Sequence, residues 1–157
     1  MDAHDRPNRI PWPPILLLAT IAAAIGLNWL FPLAWFGGLS GQVTGALGIV
    51  VIVIAFAIHI WATIVFRRHQ TTMMPHRRSA RLVTSGPFRF SRNPIYVGNL
   101  MLVAGLGLAL GNLWFLILTP ILGYALLELA IRGEERHLEA LFGDAWRDYK
   151  ARVRRWV

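Results

Sequence analysis

Four long apolar runs without a lysine or arginine constrain the fold of this chain more than any other feature. They are residues 15–31, 43–66, 95–110 and 113–131. A helix needs roughly 20 apolar residues to cross the hydrocarbon core of a bilayer, and each run comes close to this length. With 55% hydrophobic residues and a mean hydropathy of +0.49, the chain is also more apolar than ordinary soluble domains. The sequence therefore predicts a single domain with an all-α fold, a polytopic membrane helix bundle with about four transmembrane helices.

Positive charge is confined to three segments outside these runs. Of the 16 lysines and arginines, two precede the first run, seven lie from Arg67 to Arg92, and seven lie from Arg132 onwards, which gives a net charge of +8. Because cytoplasmic loops carry an excess of lysine and arginine, we expect all three segments and both termini on the cytoplasmic side. In a bacterium this would be the inner membrane. Membrane lipids with anionic headgroups are the expected partners, and nucleic acid is not.

The pattern changes after residue 131. From 132 to 157, apolar and aromatic residues recur at helical spacing among charged residues, with Gly143 as a candidate break. This arrangement predicts an amphipathic C-terminal helix, or a pair of helices, along the cytoplasmic membrane face. The preceding basic loop, 67–94, connects the second and third runs.

Several kinds of chemistry are excluded by composition. The chain has no cysteine, so disulfides and thiolate nucleophiles are absent. Its five histidines lack metal-ligand spacing, so we expect no metal, and we interpret the lone His59 of the second run as a packed, hydrogen-bonded side chain. No Gly-x-Gly-x-x-Gly motif is present, which argues against a Rossmann-type nucleotide site.

Two polar segments border the apolar runs and are candidates for a functional site. In residues 79–96, Asn93 precedes Pro94 at the predicted start of the third helix, where an arginine and a helix N-terminus can hold a carboxylate or phosphate. Phe88 and Tyr96 offer flat faces for a ring such as adenine. A basic loop bound to anionic headgroups is the alternative interpretation.

The second segment follows the fourth run. The spacing of Glu128, Arg132 and Glu135 places them on one helix face, while Glu134 points elsewhere. Placing a carboxylate at the end of a membrane helix costs free energy unless it has a partner, so these residues suggest a functional site. The alternative is an ion pair between Glu128 and Arg132, with Glu134 and Glu135 balancing the positive charge of the basic loop.

Four short motifs occur in order between residues 81 and 156. They are LVTSGPF at 82–88, RNPIYVG at 92–98, EERHL at 134–138 and VRRW at 153–156. In these motifs the sequence resembles the isoprenylcysteine carboxyl methyltransferase and phospholipid methyltransferase family. The resemblance implies an integral membrane enzyme that binds S-adenosylmethionine on the cytoplasmic side and releases S-adenosylhomocysteine. Its acceptor would be a lipophilic molecule reached from the bilayer, either the carboxylate of an isoprenoid-type substrate or a lipid amine.

Matching positions in this family imply the site residues. These positions imply cofactor contacts from Arg81, Leu82, Val83, Phe88, Asn93, Pro94, Tyr96 and Glu134. In addition, we expect Arg92 or the loop amides to bind the methionine carboxylate of the cofactor. Arg132 and Glu135 are the predicted catalytic residues: Arg132 orients an anionic acceptor, and Glu135 accepts a proton from a neutral one. Two positions depart from the family pattern, because Asn93 replaces the usual histidine and Phe88 the usual tyrosine. Asparagine cannot carry a proton at neutral pH, so a cofactor-holding role is the one expected at position 93.

Two other functions are compatible with these motifs. Membrane sterol reductases that use NADPH have a similar Asn-Pro-x-Tyr motif and a similar terminal aromatic pattern, although they are much longer. A non-catalytic membrane scaffold could use the same arginines to hold lipid headgroups, and it would bind no cofactor.

Overall fold

The computed structural model describes residues 11–35, 38–68 and 82–157. These residues form six α-helices, and no strand occurs in this part of the chain. The helices are α1 (Trp12–Leu30), α2 (Gly38–Arg68), α3 (Pro94–Leu110), α4 (Leu113–Leu126), α5 (Arg132–Phe142) and α6 (Asp144–Arg152). A short 3-10 turn (Gly86–Arg89) precedes α3, and a π turn (Leu127–Ile131) joins α4 to α5.

The helices form the predicted membrane bundle. Three are long and apolar enough to cross a bilayer, namely Trp12–Leu30, Gly38–Arg68 and the continuous helix Leu113–Phe142. The fourth, Pro94–Leu110, is equally apolar but shorter. The all-α fold and the integral membrane class are thus confirmed, while the orientation of the termini stays a prediction.

The helix bounds differ most from the predicted runs in two places. The second helix begins at Gly38 rather than at residue 43, so the polar residues 40–42 before the second run are also helical. Isolated polar residues do not end a helix, and the Thr44 hydroxyl donates to the Gly41 carbonyl within this turn. The fourth helix continues past residue 131 to Phe142, because no glycine cap or proline stops it before Gly143.

Glycines allow α2 and α3 to pack with their backbones in contact. A Cβ atom on Gly48 would lie 2.7 Å from the Gly105 carbonyl oxygen and would overlap the backbone of Ala109. Such close approach is how helices associate in lipid, where the hydrophobic effect between them is absent. α2 therefore fixes the position of α3, whose first turn contributes to the site described below.

His59 lies in this same helix pair. Its Nδ1 donates to the Ala55 carbonyl oxygen at 2.7 Å, and its Nε2 lies 2.9 Å from Oδ1 of Asn99. The ring packs against Gly98, where a Cβ atom would overlap it. The interpretation of His59 as a packed, hydrogen-bonded residue is confirmed.

A tight hairpin joins α3 to α4 and also contacts α1. Gly111 ends α3 with a φ of +63°, a left-handed conformation that glycine adopts without steric cost. The Asn112 side chain then caps α4 by accepting from the Trp114 amide, and its Nδ2 donates to the Ala24 carbonyl of α1. Beneath the hairpin, α1, α3 and α4 share one core of buried apolar residues.

Candidate functional site

The two predicted site segments meet at one end of the bundle. The hydroxyl of Tyr96, in the first turn of α3, donates to Oε1 of Glu134 in α5 at 2.6 Å. Tyr96 is buried, and the two residues are 38 positions apart in the sequence. The structure thus brings Tyr96 and Glu134 together.

The local backbone explains how these side chains are presented. Pro94 occupies the first turn of α3, where a missing N–H group costs nothing, and the Asn93 carbonyl accepts from the amides of Tyr96 and Val97. On the other side, the π turn Leu127–Ile131 inserts one residue, which rotates α5 by about 100° relative to an uninterrupted α-helix. This rotation sets the direction in which α5 presents Glu134.

Glu135 is the centre of an ion cluster beside this pair. Arg155 binds it with both ends of its guanidinium fork, from Nε to Oε1 at 2.9 Å and from Nη2 to Oε2 at 2.8 Å. Nη1 of Arg92 lies 3.3 Å from Oε1 of the same carboxylate. Oε1 of Glu135 therefore has two cationic neighbours and Oε2 has one, so Oε2 keeps the capacity to accept a further proton.

Arg92 is the least exposed charged residue of the cluster. Its side chain is 8% exposed, and its guanidinium lies over the ring of the buried Trp146, 5.7 Å from the ring centroid. Within the described ranges, Nε and Nη1 of Arg92 have no hydrogen-bond partner, because the contact to Glu135 is an ion pair without hydrogen-bonding geometry. Two guanidinium groups and one carboxylate leave the cluster one formal positive charge, which suits an anionic ligand.

A short segment after α6, residues 153–156, runs along the loop before α3, and we call it the strap. The Arg92 amide donates to the Arg154 carbonyl at 3.0 Å, and Asn93 Nδ2 donates to the Arg155 carbonyl at 3.0 Å. The Ser91 hydroxyl also donates to the Arg155 carbonyl, at 3.3 Å. In the structure the Asn93 amide thus binds the strap, and its predicted contact with a cofactor stays a prediction.

Of the other predicted cofactor residues, two are packed against α2. Val83 and Phe88 are buried in a cluster with residues of α2, and the Phe88 ring makes an edge contact with Phe66 at 4.9 Å. Leu82 is half-buried and Pro94 is buried. The ring of Phe88 is thus used in packing, so its predicted adenine contact needs an exposed ring edge. Arg81 lies outside the described residues.

An open polar cleft of about 420 Å³ flanks the ion cluster. Its lining consists of Glu128, Arg132, Glu135, Arg136, Glu139 and Lys150. The predicted common face of Glu128, Arg132 and Glu135 is confirmed, and so is the different direction of Glu134. Glu128 and Arg132 form an ion pair, and the Arg132 side chain is more than half exposed. Arg132 is therefore paired with Glu128 and still exposes more than half of its side chain to the cleft.

Beyond α5, Tyr149 and Arg155 have altered pKa values. The Tyr149 hydroxyl donates to the Phe88 carbonyl at 2.7 Å, and burial raises the pKa of Tyr149 to about 12, against an opposing effect of the Arg92 charge. The hydrogen bonds that Arg155 donates to the Glu135 carboxylate raise the pKa of Arg155 above its ordinary value. Both groups keep their protons at neutral pH, as their contacts require.

We expect Tyr149→Phe to destabilise the protein by about 1 kcal/mol at neutral pH, because a buried hydrogen bond is lost. Because the folded-state pKa lies above the unfolded value of 10.0, wild-type stability is complete below pH 10 and declines as the pH rises towards about 12. Thermal unfolding in detergent from pH 8 to 12 measures both effects. The decline should be shallower in Tyr149→Phe and unchanged in Tyr124→Phe, whose ring is exposed. Identical pH profiles for all three proteins would contradict this assignment.

Three residues of the cluster were not singled out from the sequence. Arg155, Trp146 and Tyr149 lie in a segment that was predicted only as an amphipathic surface helix. The VRRW motif at 153–156 was the available signal, but it does not indicate which of its two arginines turns inwards. Among the described residues, no group of three His, Cys, Asp or Glu side chains is arranged to hold a metal ion.

Fold and site together define an integral membrane protein with a buried, charged junction at one end of its helices. The sequence pattern of the phospholipid methyltransferase family matches residues 43–145, about two thirds of the chain. The chain belongs to this family of membrane methyltransferases. No curated protein and no solved structure matches the chain.

Proposed function

We propose that this protein is a membrane methyltransferase that uses S-adenosylmethionine to methylate a lipophilic acceptor reached from the bilayer. One observation carries the proposal: the Tyr96–Glu134 hydrogen bond joins the RNPIYVG and EERHL motifs beside a buried cluster with surplus positive charge. The membership in a methyltransferase family supports the reaction class. Because the cofactor is water-soluble, we place this end of the bundle on the cytoplasmic side.

The residues at the junction fit this cofactor. S-adenosylmethionine carries a carboxylate, an ammonium group and a ribose, and it supplies a methyl group on a positively charged sulfur. Arg92 has buried N–H groups without partners among the described residues, which suit the carboxylate. Glu134 suits the ammonium group or the ribose hydroxyls, because an ionised carboxylate is a strong acceptor for both.

The other residues of the junction position these two groups. The Tyr96 hydroxyl holds Glu134 through its hydrogen bond, and Asn93 and Pro94 form the start of α3, where the Asn93 carbonyl accepts from the Tyr96 amide. Leu82, Val83 and Phe88 would close the apolar side of the pocket. Such fixed geometry is the main catalytic contribution to be expected, because correct alignment can lower the barrier of a displacement by about 7–11 kcal/mol.

We assign the acceptor to the polar cleft. Arg132 lines it with an exposed guanidinium that can orient a carboxylate or phosphate of the acceptor. A neutral acceptor must lose a proton, and Glu135 lines the same cleft as the proposed proton acceptor. Apolar parts of the acceptor would remain in the bilayer beside the helices.

Calorimetry on the protein purified in detergent tests the proposal. We expect saturable binding of S-adenosylhomocysteine and no binding of NADPH, followed by transfer of a radiolabelled methyl group from S-adenosylmethionine to extracted membrane lipids. Binding of NADPH alone would favour the reductase alternative. Binding of neither ligand would leave only a scaffold that holds headgroups.

A further inference from the structure

We propose that Arg155 is a positioning residue of the cofactor site, which occupies Glu135 so that Arg92 remains available to an anionic ligand. The inference rests on the proposed function, because the ligand is the carboxylate end of the cofactor. Arg155 is not expected to touch the cofactor itself. It acts through Glu135 and through the strap.

The geometry of the three charged groups is the basis of the inference. Arg155 makes two hydrogen bonds to Glu135, at 2.9 and 2.8 Å, whereas Arg92 approaches only Oε1, at 3.3 Å and without hydrogen-bonding geometry. A two-pronged arginine contact is the stronger and more directional kind of ion pair. Glu135 is thus held mainly by Arg155, and Arg92 is held over Trp146 instead.

The choice of ion-pair partner for Glu135 matters because Glu135 and Arg92 are both largely buried. Arg92 is 8% exposed and Glu135 is 14% exposed, so water cannot readily replace a missing partner of either group. Without Arg155, Glu135 would have Arg92 as its only cation within the described cluster. The N–H groups of Arg92 would then turn to Glu135 and be lost to the ligand. Arg155 prevents this competition.

The strap holds Arg155 in place through its backbone. The Arg155 carbonyl accepts from Asn93 Nδ2 and from the Ser91 hydroxyl, and the neighbouring Trp156 packs against the main core. The Arg154 carbonyl accepts from the Arg92 amide, but the Arg154 side chain is exposed. Arg154 is therefore a matched control, because its side chain can be changed without altering this backbone contact.

Calorimetry with two ligands tests the inference. We expect Arg155→Gln to weaken the binding of S-adenosylhomocysteine by about tenfold, the scale of a lost hydrogen bond to a charged group. Binding of 5′-methylthioadenosine, which lacks the amino-acid carboxylate, should change less than about twofold, within the range of a neutral surface change. Arg154→Gln should bind both ligands like the wild type.

The double variant Glu135→Gln/Arg155→Gln separates positioning from a purely structural role. Removal of the competing carboxylate should free Arg92 and restore most of the affinity for S-adenosylhomocysteine. If Arg155→Gln does not survive purification, Arg155→Lys can be used instead, because it keeps the positive charge without the two-pronged guanidinium contact. This variant should show a smaller loss of affinity, again confined to S-adenosylhomocysteine.

The possible results are distinct. Equal loss of both ligands in the Arg155 variants, or no recovery in the double variant, would overturn the inference in favour of a structural role. Unchanged affinity in Arg155→Gln would overturn it as well. Failure of the wild type to bind S-adenosylhomocysteine would instead overturn the proposed function, and the inference with it.

Discussion

Replacing Glu134 with glutamine is expected to weaken the binding of S-adenosylhomocysteine by between about tenfold and about a hundredfold, because a hydrogen bond to a charged group is lost. Glutamine keeps the size of the side chain and can still accept from the Tyr96 hydroxyl. It removes only the negative charge, which is the property proposed to bind the ammonium group or ribose. The loss should therefore appear in affinity and not in the thermal stability of the protein.

Glu139→Gln is the matched control for this experiment. Glu139 lies one turn further along α5 and pairs with Lys150 and Arg147, with about two fifths of its side chain exposed. Exposed ion pairs of this kind contribute at most about 1 kcal/mol, so the control should bind the ligand almost like the wild type. Unchanged affinity in Glu134→Gln would remove Glu134 from the cofactor site. Equal losses in both variants would indicate a general effect of charge.

The helices were predictable from the sequence because lipid imposes a simple rule. A backbone in hydrocarbon must satisfy its own hydrogen bonds, so a run of 16 or more apolar residues has few alternatives to a helix. The tight turn at the Gly-Asn pair between the third and fourth runs is also set locally, since Gly111 adopts a left-handed conformation and Asn112 caps α4. Both features depend only on local residues.

The helix ends were less predictable because the charge pattern and the backbone follow different rules. The change in composition at Arg132 marks where the apolar surface ends, yet the helix continues to Phe142 through the π turn. Arginine and glutamate are good helix formers, and the single Gly133 is not enough to stop the helix. A π turn has no sequence signature of its own, and the rotation it gives to α5 could not be derived from spacing.

The candidate site was predictable in part. The motifs correctly indicated that Tyr96 and Glu134 belong to one place, since they are joined in the structure. The partners of Glu135 were not predictable, because seven lysines and arginines from Arg132 onwards are equivalent in sequence and only the fold selects Arg155. The presence of Asn93 in place of the family's usual histidine also has a physical explanation, because the Asn93 side-chain amide donates to the strap.

Gly48→Ala provides a test of the fold that does not depend on any cofactor. A Cβ atom at this position would lie 2.7 Å from the Gly105 carbonyl oxygen and would overlap the backbone of Ala109, and neither backbone can move without separating α2 from α3. Overpacking of this kind typically costs about 1–3 kcal/mol. We therefore expect a clear fall in the thermal unfolding temperature of the purified protein.

Gly26→Ala in α1 is the control, because nothing lies within 4 Å of a Cβ atom there. Alanine favours a helix over glycine by about 1 kcal/mol, so this variant should be as stable as the wild type or more so. Equal unfolding temperatures for the two variants would contradict the described contact between α2 and α3. Because α3 begins at Pro94 and presents Tyr96 in its first turn, separation of these helices should also displace the hydroxyl that holds Glu134. A loss of ligand affinity in Gly48→Ala but not in Gly26→Ala would therefore connect the helix packing to the site.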